Sequence, residues 1–297
     1  MKVPLPMRRR EDDLFGPKRR MRKGLYILPS LFTAANIGAG YFAITETLQG
    51  TSADSWHFDL AAKAIGIAIV ADGLDGFVAR LTHTASDFGR EFDSLADVIT
   101  FGVAPALLAW MWGFRWLPEF NHPELRTRMI HLGVMATFLF LVAGASRLAR
   151  FNIQTNPQPS NPGSPGKKYF VGMPIPAGAA VVASTIHLLE GNPIESWWMA
   201  AFWFGLLIGA AFLMVSTWRF YSFKDLNLRN RHPFQLVILI GAFLYLLVIF
   251  SGPLLFVISA TYMLSGVMTR LAYLFRRRPP AAPTSATYQE APEPQSQ

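Results

Sequence analysis

The sequence has no cysteine among its 297 residues. A chain without cysteine has no disulfide framework, no thiolate nucleophile and no cysteine-ligated zinc or iron–sulfur site. Charge is also scarce, since Asp, Glu, Lys and Arg make up 15% of the residues, against about 25% in soluble globular proteins. Hydrophobic residues make up 52%. This composition argues against an ordinary cytosolic enzyme, a disordered protein and, despite the net charge of +8, a nucleic-acid-binding protein.

The apolar residues are concentrated in blocks of about 20 residues, the length with which an α-helix crosses a bilayer. We therefore predict an all-α, polytopic membrane bundle of eight transmembrane helices. Their predicted bounds are 30–48, 58–82, 90–113, 129–151, 174–190, 196–216, 233–251 and 253–275. The predicted domain organisation is a basic cytoplasmic tail at 1–24, a membrane domain at 25–278 and a disordered Pro- and Ala-rich tail at 279–297.

The basic residues indicate the orientation of these helices. Lys and Arg are abundant in the 1–24 tail and close the last helix at 276–278. Because cytoplasmic segments are enriched in Lys and Arg, both termini are predicted to be cytoplasmic, which requires an even number of spans. One connection conflicts with this orientation, since Arg115, Arg126 and Arg128 would lie outside. Six spans with two re-entrant or interfacial segments is therefore the alternative.

Four aspartates lie within these membrane-length helices, namely Asp72, Asp75, Asp93 and Asp97. A carboxylate at membrane depth costs several kcal/mol unless it is neutralised or hydrated. The first two are separated by three residues and the last two by four, so each pair occupies one face of its helix. The connection between the two helices is short, which favours an antiparallel pair. The sequence therefore predicts that the four carboxylates face each other at similar depth.

Two divalent cations would cancel the formal charge of these four carboxylates. Oxygen-only ligands favour Mg²⁺ or Mn²⁺, and a two-metal site is suited to displacement at phosphorus. Two other interpretations stay open on the spacing alone. The aspartates could pair only with Arg80 and Arg90, or they could mark an ion path, as in a divalent-cation transporter.

Small residues accompany the aspartates. Gly76, Ala79 and Gly89 would let a phosphate-bearing ligand approach the backbone. Arg80 lies just over one turn after Asp75 and could hold a phosphate oxygen or pair with a carboxylate.

Segments 72–80 (DGLDGFVAR) and 89–97 (GREFDSLAD) resemble the signature of the CDP-alcohol phosphatidyltransferases at every fixed position and spacing. The resemblance implies a membrane enzyme that displaces CMP from a CDP-linked lipid. It implies that the four aspartates bind two divalent cations and that Asp93 and Asp97 are catalytic, with Asp97 the general base. It also implies a CDP pocket shaped by Gly76, Ala79, Arg80 and Gly89.

Four further stretches resemble one branch of this family, the membrane-embedded bacterial and archaeal phosphatidylserine synthases. They are 28–36 (LPSLFTAAN), 97–106 (DVITFGVAPA), 146–152 (SRLARFN) and 169–177 (YFVGMPIPA). The branch commonly has Asn after Pro29, where this chain has Ser30, which we expect to tune the site without abolishing it.

The branch resemblance implies that CDP-diacylglycerol donates its phosphatidyl group to L-serine. It also implies a homodimer in a prokaryotic inner membrane, with the active site near the cytoplasmic face. A sister enzyme that uses glycerol 3-phosphate or an inositol phosphate as the acceptor is the alternative within the family.

Five polar residues are the remaining candidates for ligand contacts. Thr33 and Asn36 are predicted to face CDP, with hydrogen bonding between helices as the alternative. Arg147 and Arg150 lie three apart on one helical face and could bind a carboxylate or the diphosphate, or could anchor the cytoplasmic end of the helix. Asn152 beside them favours a site for serine or phosphate.

Overall fold

A computed structural model gives the structure of the chain and describes residues 27–82, 87–119, 123–153, 169–221 and 233–275. The predicted tails at 1–24 and 279–297 lie outside these residues. The described part contains helices at all eight predicted positions. In chain order the helical elements are α1 (Ile27–Gln49), α2 (Trp56–Thr82), α3 (Asp87–Asp97), π1 (Val98–Val103), α4 (Ala104–Trp110), π2 (Met111–Arg115), α5 (Pro123–Ile153), α6 (Ile175–Leu188), α7 (Trp197–Val215), α8 (Pro233–Ile249) and α9 (Ser251–Phe275).

Elements α3, π1, α4 and π2 form one continuous helix. Two of its segments, π1 and π2, are wound as π-helix. The residues at its internal junctions keep right-handed helical backbone angles. Wider π turns occur frequently at functional sites. Here π1 begins directly after Asp97, the last of the four aspartates.

Within the part of the chain that the structure describes, four helices are long and apolar enough to cross a bilayer: Phe88–Arg115, Glu124–Ile153, Trp197–Val215 and Ser251–Phe275. Helix α6 is apolar but has only 14 residues, a length of about 21 Å. The prediction of a helical, multi-pass membrane protein is therefore confirmed. The count of eight spans stays a prediction.

Side-chain contacts bring several connections to one end of the bundle, which we call the distal end. The Ser55 hydroxyl donates to Asn192 Oδ1 at 3.1 Å, and Trp112 Nε1 donates to the Asn192 carbonyl at 2.8 Å. His187 Nε2 and Ser251 Oγ are hydrogen-bonded at 2.8 Å. The distal end therefore contains the α1–α2, α6–α7 and α8–α9 connections and the end of π2. Successive long helices alternate in direction, with α3 to π2 counted as one helix.

The arginines that conflict with the predicted orientation each contact a group in their own connection. Arg115 lies over the indole ring of the next residue, 5.3 Å from its centroid. Arg126 donates from Nε to the Leu117 carbonyl at 2.7 Å, and Arg128 pairs with Glu124 at 3.4 Å. These contacts compensate part of their charge locally.

Helix α1 crosses π1 with the two backbones almost in contact. A Cβ atom added to Gly40 would lie 2.9 Å from Thr100 Cα, so only glycine fits at this crossing. The Thr100 hydroxyl donates to the Asn36 carbonyl at 2.9 Å. This close approach brings Thr33 and Asn36 of α1 against the continuous helix that carries Asp93 and Asp97.

A two-stranded antiparallel ribbon, β1 (Tyr169–Val171) and β2 (Arg219–Tyr221), places Phe170 opposite Phe220. Gly172 follows β1 with φ +76°, and a Cβ atom there would lie 2.6 Å from the Met214 carbonyl oxygen. Its N–H donates to the Trp218 carbonyl at 2.8 Å. The glycine of the 169–177 stretch is therefore required where the chain turns from the ribbon into α6.

Replacing His187 by Ala is expected to lower the free energy of unfolding by about 1–3 kcal/mol. This side chain joins three helices at the distal end, because Nδ1 bonds the Asp59 carboxylate of α2 and Nε2 bonds Ser251 of α9. Thermal unfolding in detergent measures the effect. His131→Ala, at an exposed position of α5, is the control. Equal melting temperatures for the two variants would contradict the assignment.

Candidate active site

Three of the four predicted aspartates meet between α2 and α3. One carboxylate oxygen from each of Asp72, Asp93 and Asp97 lies within 4.8 Å of the other two. Asp93 and Asp97 share a face of α3 because they are one helical turn apart, and Asp72 faces them from α2. All three side chains are half-buried. The structure thus brings together carboxylates that are separated by up to 25 residues in the sequence.

The carboxylate cluster fits divalent cations. Three like charges at this separation repel one another unless cations or protons compensate them. Asp97 Oδ1 is buried and has no hydrogen-bond partner in the described part of the chain, so it can accept a ligand bond. Oxygen donors alone suit the hard cations Mg²⁺ and Mn²⁺. The cluster therefore has both the charge and the donor atoms for a metal site.

The other residues of the predicted motif lie in α2 and α3. Asp75, Gly76, Ala79 and Arg80 belong to the last part of α2, but their side chains fall outside the described part of the structure. Gly89 lies in the first turn of α3, one turn before Asp93. The fourth carboxylate and the CDP pocket stay predictions.

Thr33 and Asn36 lie on the buried face of α1, with 3% and 2% of their surfaces exposed. Neither Oδ1 nor Nδ2 of Asn36 has a hydrogen-bond partner among the described residues. A buried amide left unpaired costs about 1–3 kcal/mol. No hydrogen bond joins the Asn36 side chain to another described helix, so the alternative of hydrogen bonding between helices has no support here and the ligand-facing interpretation stays the prediction.

The two candidate arginines of α5 have different surroundings. The guanidinium of Arg150 donates to the Val215 carbonyl at 2.9 Å and the Ser216 carbonyl at 3.2 Å. A longer contact joins it to the Met214 carbonyl at 3.4 Å. The last carbonyl groups of a helix lack partners within it and attract cations. Arg150 therefore caps the end of α7, and its predicted contact with a ligand stays a prediction.

Arg147 is buried, with 7% of its surface exposed, and the described side chains form no ion pair with it. Its guanidinium lies 5.2 Å from the ring centroid of Phe151 and 6.0 Å from that of Phe170. Its positive charge interacts electrostatically with the Asp97 carboxylate. A buried guanidinium beside the carboxylate cluster is suited to hold an anionic ligand.

Asn152, the third candidate on α5, connects that helix to α3. Its Nδ2 donates to Ser94 Oγ at 2.9 Å, and the Ser94 hydroxyl donates to the Arg90 carbonyl at 2.9 Å. Ser94 directly follows Asp93 in the sequence. Asn152 therefore fixes the position of the end of α5 relative to the carboxylate cluster.

Comparison with known proteins identifies the family of this site. The family model described as CDP-alcohol phosphatidyltransferase matches residues 26–211, which is more than half of the chain. The chain belongs to the CDP-alcohol phosphatidyltransferase family. Proteins of this family are integral to the membrane and use divalent cations, and the carboxylate cluster is the place where this chain can hold them.

Relatives from several organisms share much of this phosphatidyltransferase chain. A protein of Helicobacter pylori (strain ATCC 700392 / 26695) is 38% identical over 252 residues, covering 82% of this chain and 91% of the relative. One of Mycobacterium leprae (strain TN) is 31% identical, covering 83% and 75%. One of Saccharomyces cerevisiae (strain ATCC 204508 / S288c) is 35% identical, covering 61% and 59%. All three relatives are named CDP-diacylglycerol–serine O-phosphatidyltransferase.

The match to the phosphatidyltransferase family model ends within α7, so β2, α8 and α9 lie beyond it. Phe170 of the ribbon nevertheless lies 6.0 Å from the Arg147 guanidinium, and Tyr262 of α9 packs against Phe220 of the same ribbon, with the ring centroids 5.7 Å apart. Neither Phe170 nor Tyr262 was predicted from the sequence. No motif marks Tyr262 in its apolar helix, whereas Phe170 lies inside the 169–177 stretch and could have been included.

Proposed function

We propose that the protein transfers the phosphatidyl group of CDP-diacylglycerol to L-serine, giving phosphatidylserine and CMP. The observation that carries this proposal is the cluster of Asp72, Asp93 and Asp97 together with one buried arginine, Arg147, which forms no ion pair with the described side chains. The names of the relatives support the same activity. The reaction needs charge compensation at a diphosphate and a site for the carboxylate of serine. Cations bound by the carboxylate cluster would supply the first, and Arg147 would supply the second.

The carboxylate cluster, with Asp75 as the predicted fourth member, would hold two divalent cations, either Mg²⁺ or Mn²⁺. Bound there, they would supply positive charge to the diphosphate and its leaving oxygen. Asp97 accepts the proton of the serine hydroxyl as general base. The serine oxygen forms a bond to the phosphorus that carries the diacylglycerol, and the bond from that phosphorus to the CMP oxygen breaks. Asp93 is the second catalytic residue, through its position beside Asp97 in the cluster.

The nucleotide lies on the α1 side of the cluster in this proposal. The Asn36 amide offers two donor hydrogens and an acceptor oxygen, and all three are available to a ligand because no described residue bonds them. Thr33 lies one turn earlier on the same buried face. Gly76, Ala79, Arg80 and Gly89 complete the pocket for CDP, as the resemblance implies.

Serine is favoured over acceptors that carry phosphate. Glycerol 3-phosphate and inositol phosphate bring a dianionic group, which calls for a denser set of cations than one carboxylate does. Arg150 is occupied by the carbonyl groups at the end of α7. Within the described residues of α5, Arg147 is therefore the cation available to the acceptor, and a single guanidinium matches a single carboxylate in a two-bond contact.

We further propose the finer membrane arrangement. The shared distal end of the bundle supports eight alternating spans, with both termini and the active site on the cytoplasmic side of a prokaryotic inner membrane. The membrane domain would extend over 25–278. In this arrangement the acyl chains stay in lipid while the nucleotide is in water. A homodimer remains the expectation from the family resemblance.

An acceptor panel tests the proposed function. Purified protein in mixed micelles receives CDP-diacylglycerol, Mn²⁺ or Mg²⁺, and one of L-serine, glycerol 3-phosphate, inositol phosphate or no acceptor, and the CMP released is measured. We expect CMP with L-serine alone, and none after chelation of the metal. CMP without an acceptor, or only with glycerol 3-phosphate, would refute the assignment. Cation flux into liposomes without any CMP would favour the transporter alternative.

A further inference from the structure

Aromatic rings from two different elements contact the guanidinium of Arg147, which is buried with 7% of its surface exposed. Phe151 lies one helical turn later on α5, and its ring centroid is 5.2 Å from Arg147 Cζ. Phe170 approaches from β1, with its ring centroid at 6.0 Å. The face of an aromatic ring attracts a cation at such distances. The two rings therefore restrict where this guanidinium can lie.

A ring holds a guanidinium in a different way from a carbonyl group. Arg150 of the same helix donates to the Val215 and Ser216 carbonyls, so the protein itself uses its N–H groups. The two phenylalanine rings attract the charge of Arg147 through their faces and do not use N–H groups as a carbonyl oxygen does. Arg147 can therefore be held in place while its planar fork binds a carboxylate with two hydrogen bonds.

The ribbon fixes the position of Phe170. Its pairing partner in β2, Phe220, is fully buried, and a Cβ atom at Gly266 of α9 would overlap the Phe220 ring. At the end of β1 the Gly172 N–H donates to the Trp218 carbonyl at 2.8 Å. The Phe170 ring itself packs against the hydrophobic core. This ring therefore has little freedom to follow a moving guanidinium, and it can determine where the guanidinium lies.

Tyr169 makes a matched contact with a different arginine. It directly precedes Phe170 in β1, and its ring centroid lies 4.1 Å from Cζ of Arg219 in β2. Its ring also meets that of its pairing partner Tyr221, with the centroids 5.6 Å apart. Successive side chains of a strand point to opposite faces. A change at Tyr169 therefore disturbs the same strand and removes a ring from an arginine, but the arginine is not Arg147.

We propose that Phe170, together with Phe151, is a positioning residue for the acceptor: its ring holds the Arg147 guanidinium where it binds the carboxylate of serine. This inference rests on the proposed function. Arg147 extends from α5 on a flexible stem, and no ion pair joins it to the described side chains. Phe170 acts through Arg147 and takes no part in the chemistry. Its loss therefore weakens acceptor binding and leaves the displacement at phosphorus unchanged.

The first test compares Phe170→Leu and Phe170→Tyr with Tyr169→Leu in the full-length protein. Leu keeps an apolar side chain at position 170 but removes the ring, whereas Tyr keeps the ring. For Phe170→Leu we expect the KM for L-serine to rise about three- to tenfold, the loss that follows from removing one cation–π contact. We expect Phe170→Tyr and Tyr169→Leu to keep the serine KM of the wild type. In all three variants kcat and the KM for CDP-diacylglycerol should stay at the wild-type values.

A second test keeps the shape of the side chain. Phenylalanines with one, two or three fluorine atoms on the ring are incorporated at position 170. Fluorine withdraws electrons and weakens the negative charge of the ring face, on which the attraction of the cation depends. We expect the serine KM to rise with each added fluorine, while the melting temperature in detergent stays the same. A serine KM independent of the number of fluorine atoms would overturn the inference, even if Phe170→Leu did not fold.

An unchanged serine KM in folded Phe170→Leu would also overturn the inference. Equal increases in Phe170→Leu and Tyr169→Leu would do the same, because loosening of the ribbon alone would then explain the effect. An equal change in the KM values for serine and CDP-diacylglycerol would indicate a general structural role and contradict the inference. The wild-type protein is assayed in parallel, and a wild type without serine-dependent CMP release would refute the proposed function instead.

Discussion

Replacing Asp97 by Asn is expected to lower CMP formation by about 10²–10⁴-fold, the contribution of a positioned general base. The amide has nearly the same shape as the carboxylate, but it neither accepts the serine proton nor brings a negative charge to the cluster. Asp97 Oδ1 is buried without a described hydrogen-bond partner, so the substitution removes no internal contact from that atom. The measurement is the initial rate of CMP release at saturating substrates, together with a Mn²⁺ titration, in which we expect weaker binding.

Asp59→Asn is the matched control for this variant. Asp59 is also a half-buried aspartate of the bundle, and it is paired with His187 and Lys63 at the distal end. It lies 13 residues before Asp72 on α2, which is about 20 Å along the helix. We expect lower thermal stability but wild-type turnover per folded molecule. Turnover by Asp97→Asn within tenfold of the wild type would refute the role of Asp97 as base.

The helices and the aspartate cluster could be predicted because both depend on local periodicity. A run of about 20 apolar residues has few structural solutions in a membrane protein, and helices occur where these runs were found. The spacing of Asp93 and Asp97 places them on one helical face whatever the rest of the chain does. Asp72 joins them because the connection between the two helices is short.

The different surroundings of Arg147 and Arg150 could not be predicted from the sequence. Both lie on one face of α5, and either could bind an anion. Arg150 bonds carbonyl groups 64 to 66 residues further along the chain, and no local pattern predicts where the end of α7 will lie. The burial of Asn36 could not be predicted either, because it depends on how α1 packs against π1; its amide has no hydrogen-bond partner among the described residues.

The π-helical turns and the ribbon are further features that depend on tertiary contacts. Strands of three residues are too short for an alternating pattern to stand out in the sequence, and β1 pairs with a segment about 50 residues away. The buried aromatic pair of Trp112 and Trp203, at 5.0 Å between ring centroids, is likewise a consequence of how π2 meets α7. The ribbon carries Phe170, whose ring lies 6.0 Å from the Arg147 guanidinium, so the surroundings of that guanidinium could not be predicted from the sequence.

Replacing Arg147 by Met is expected to raise the KM for L-serine by about ten- to hundredfold, the loss that follows from removing a charge-assisted contact with a carboxylate. Met keeps an apolar stem to pack beside Phe151 and Phe170 but brings no charge. Arg147→Lys keeps the charge without the planar fork, so its KM should lie between those of the wild type and the Met variant. The KM for CDP-diacylglycerol, which we assign to the cluster and to α1, should change much less. Steady-state kinetics with each substrate varied in turn measures the difference.

Arg150→Met is the control that distinguishes a ligand contact from a helix cap. The two arginines have the same chemistry and lie three residues apart, so any general effect of removing a cation from this end of α5 acts on both. If Arg150 only caps α7, its loss leaves carbonyl groups without a partner and lowers the melting temperature, while the folded molecules keep the serine KM of the wild type. A serine KM that rises equally in both variants, with no loss of stability in Arg150→Met, would mean that both guanidinium groups bind the acceptor. The single-cation argument that favours serine over phosphate-bearing acceptors would then fail.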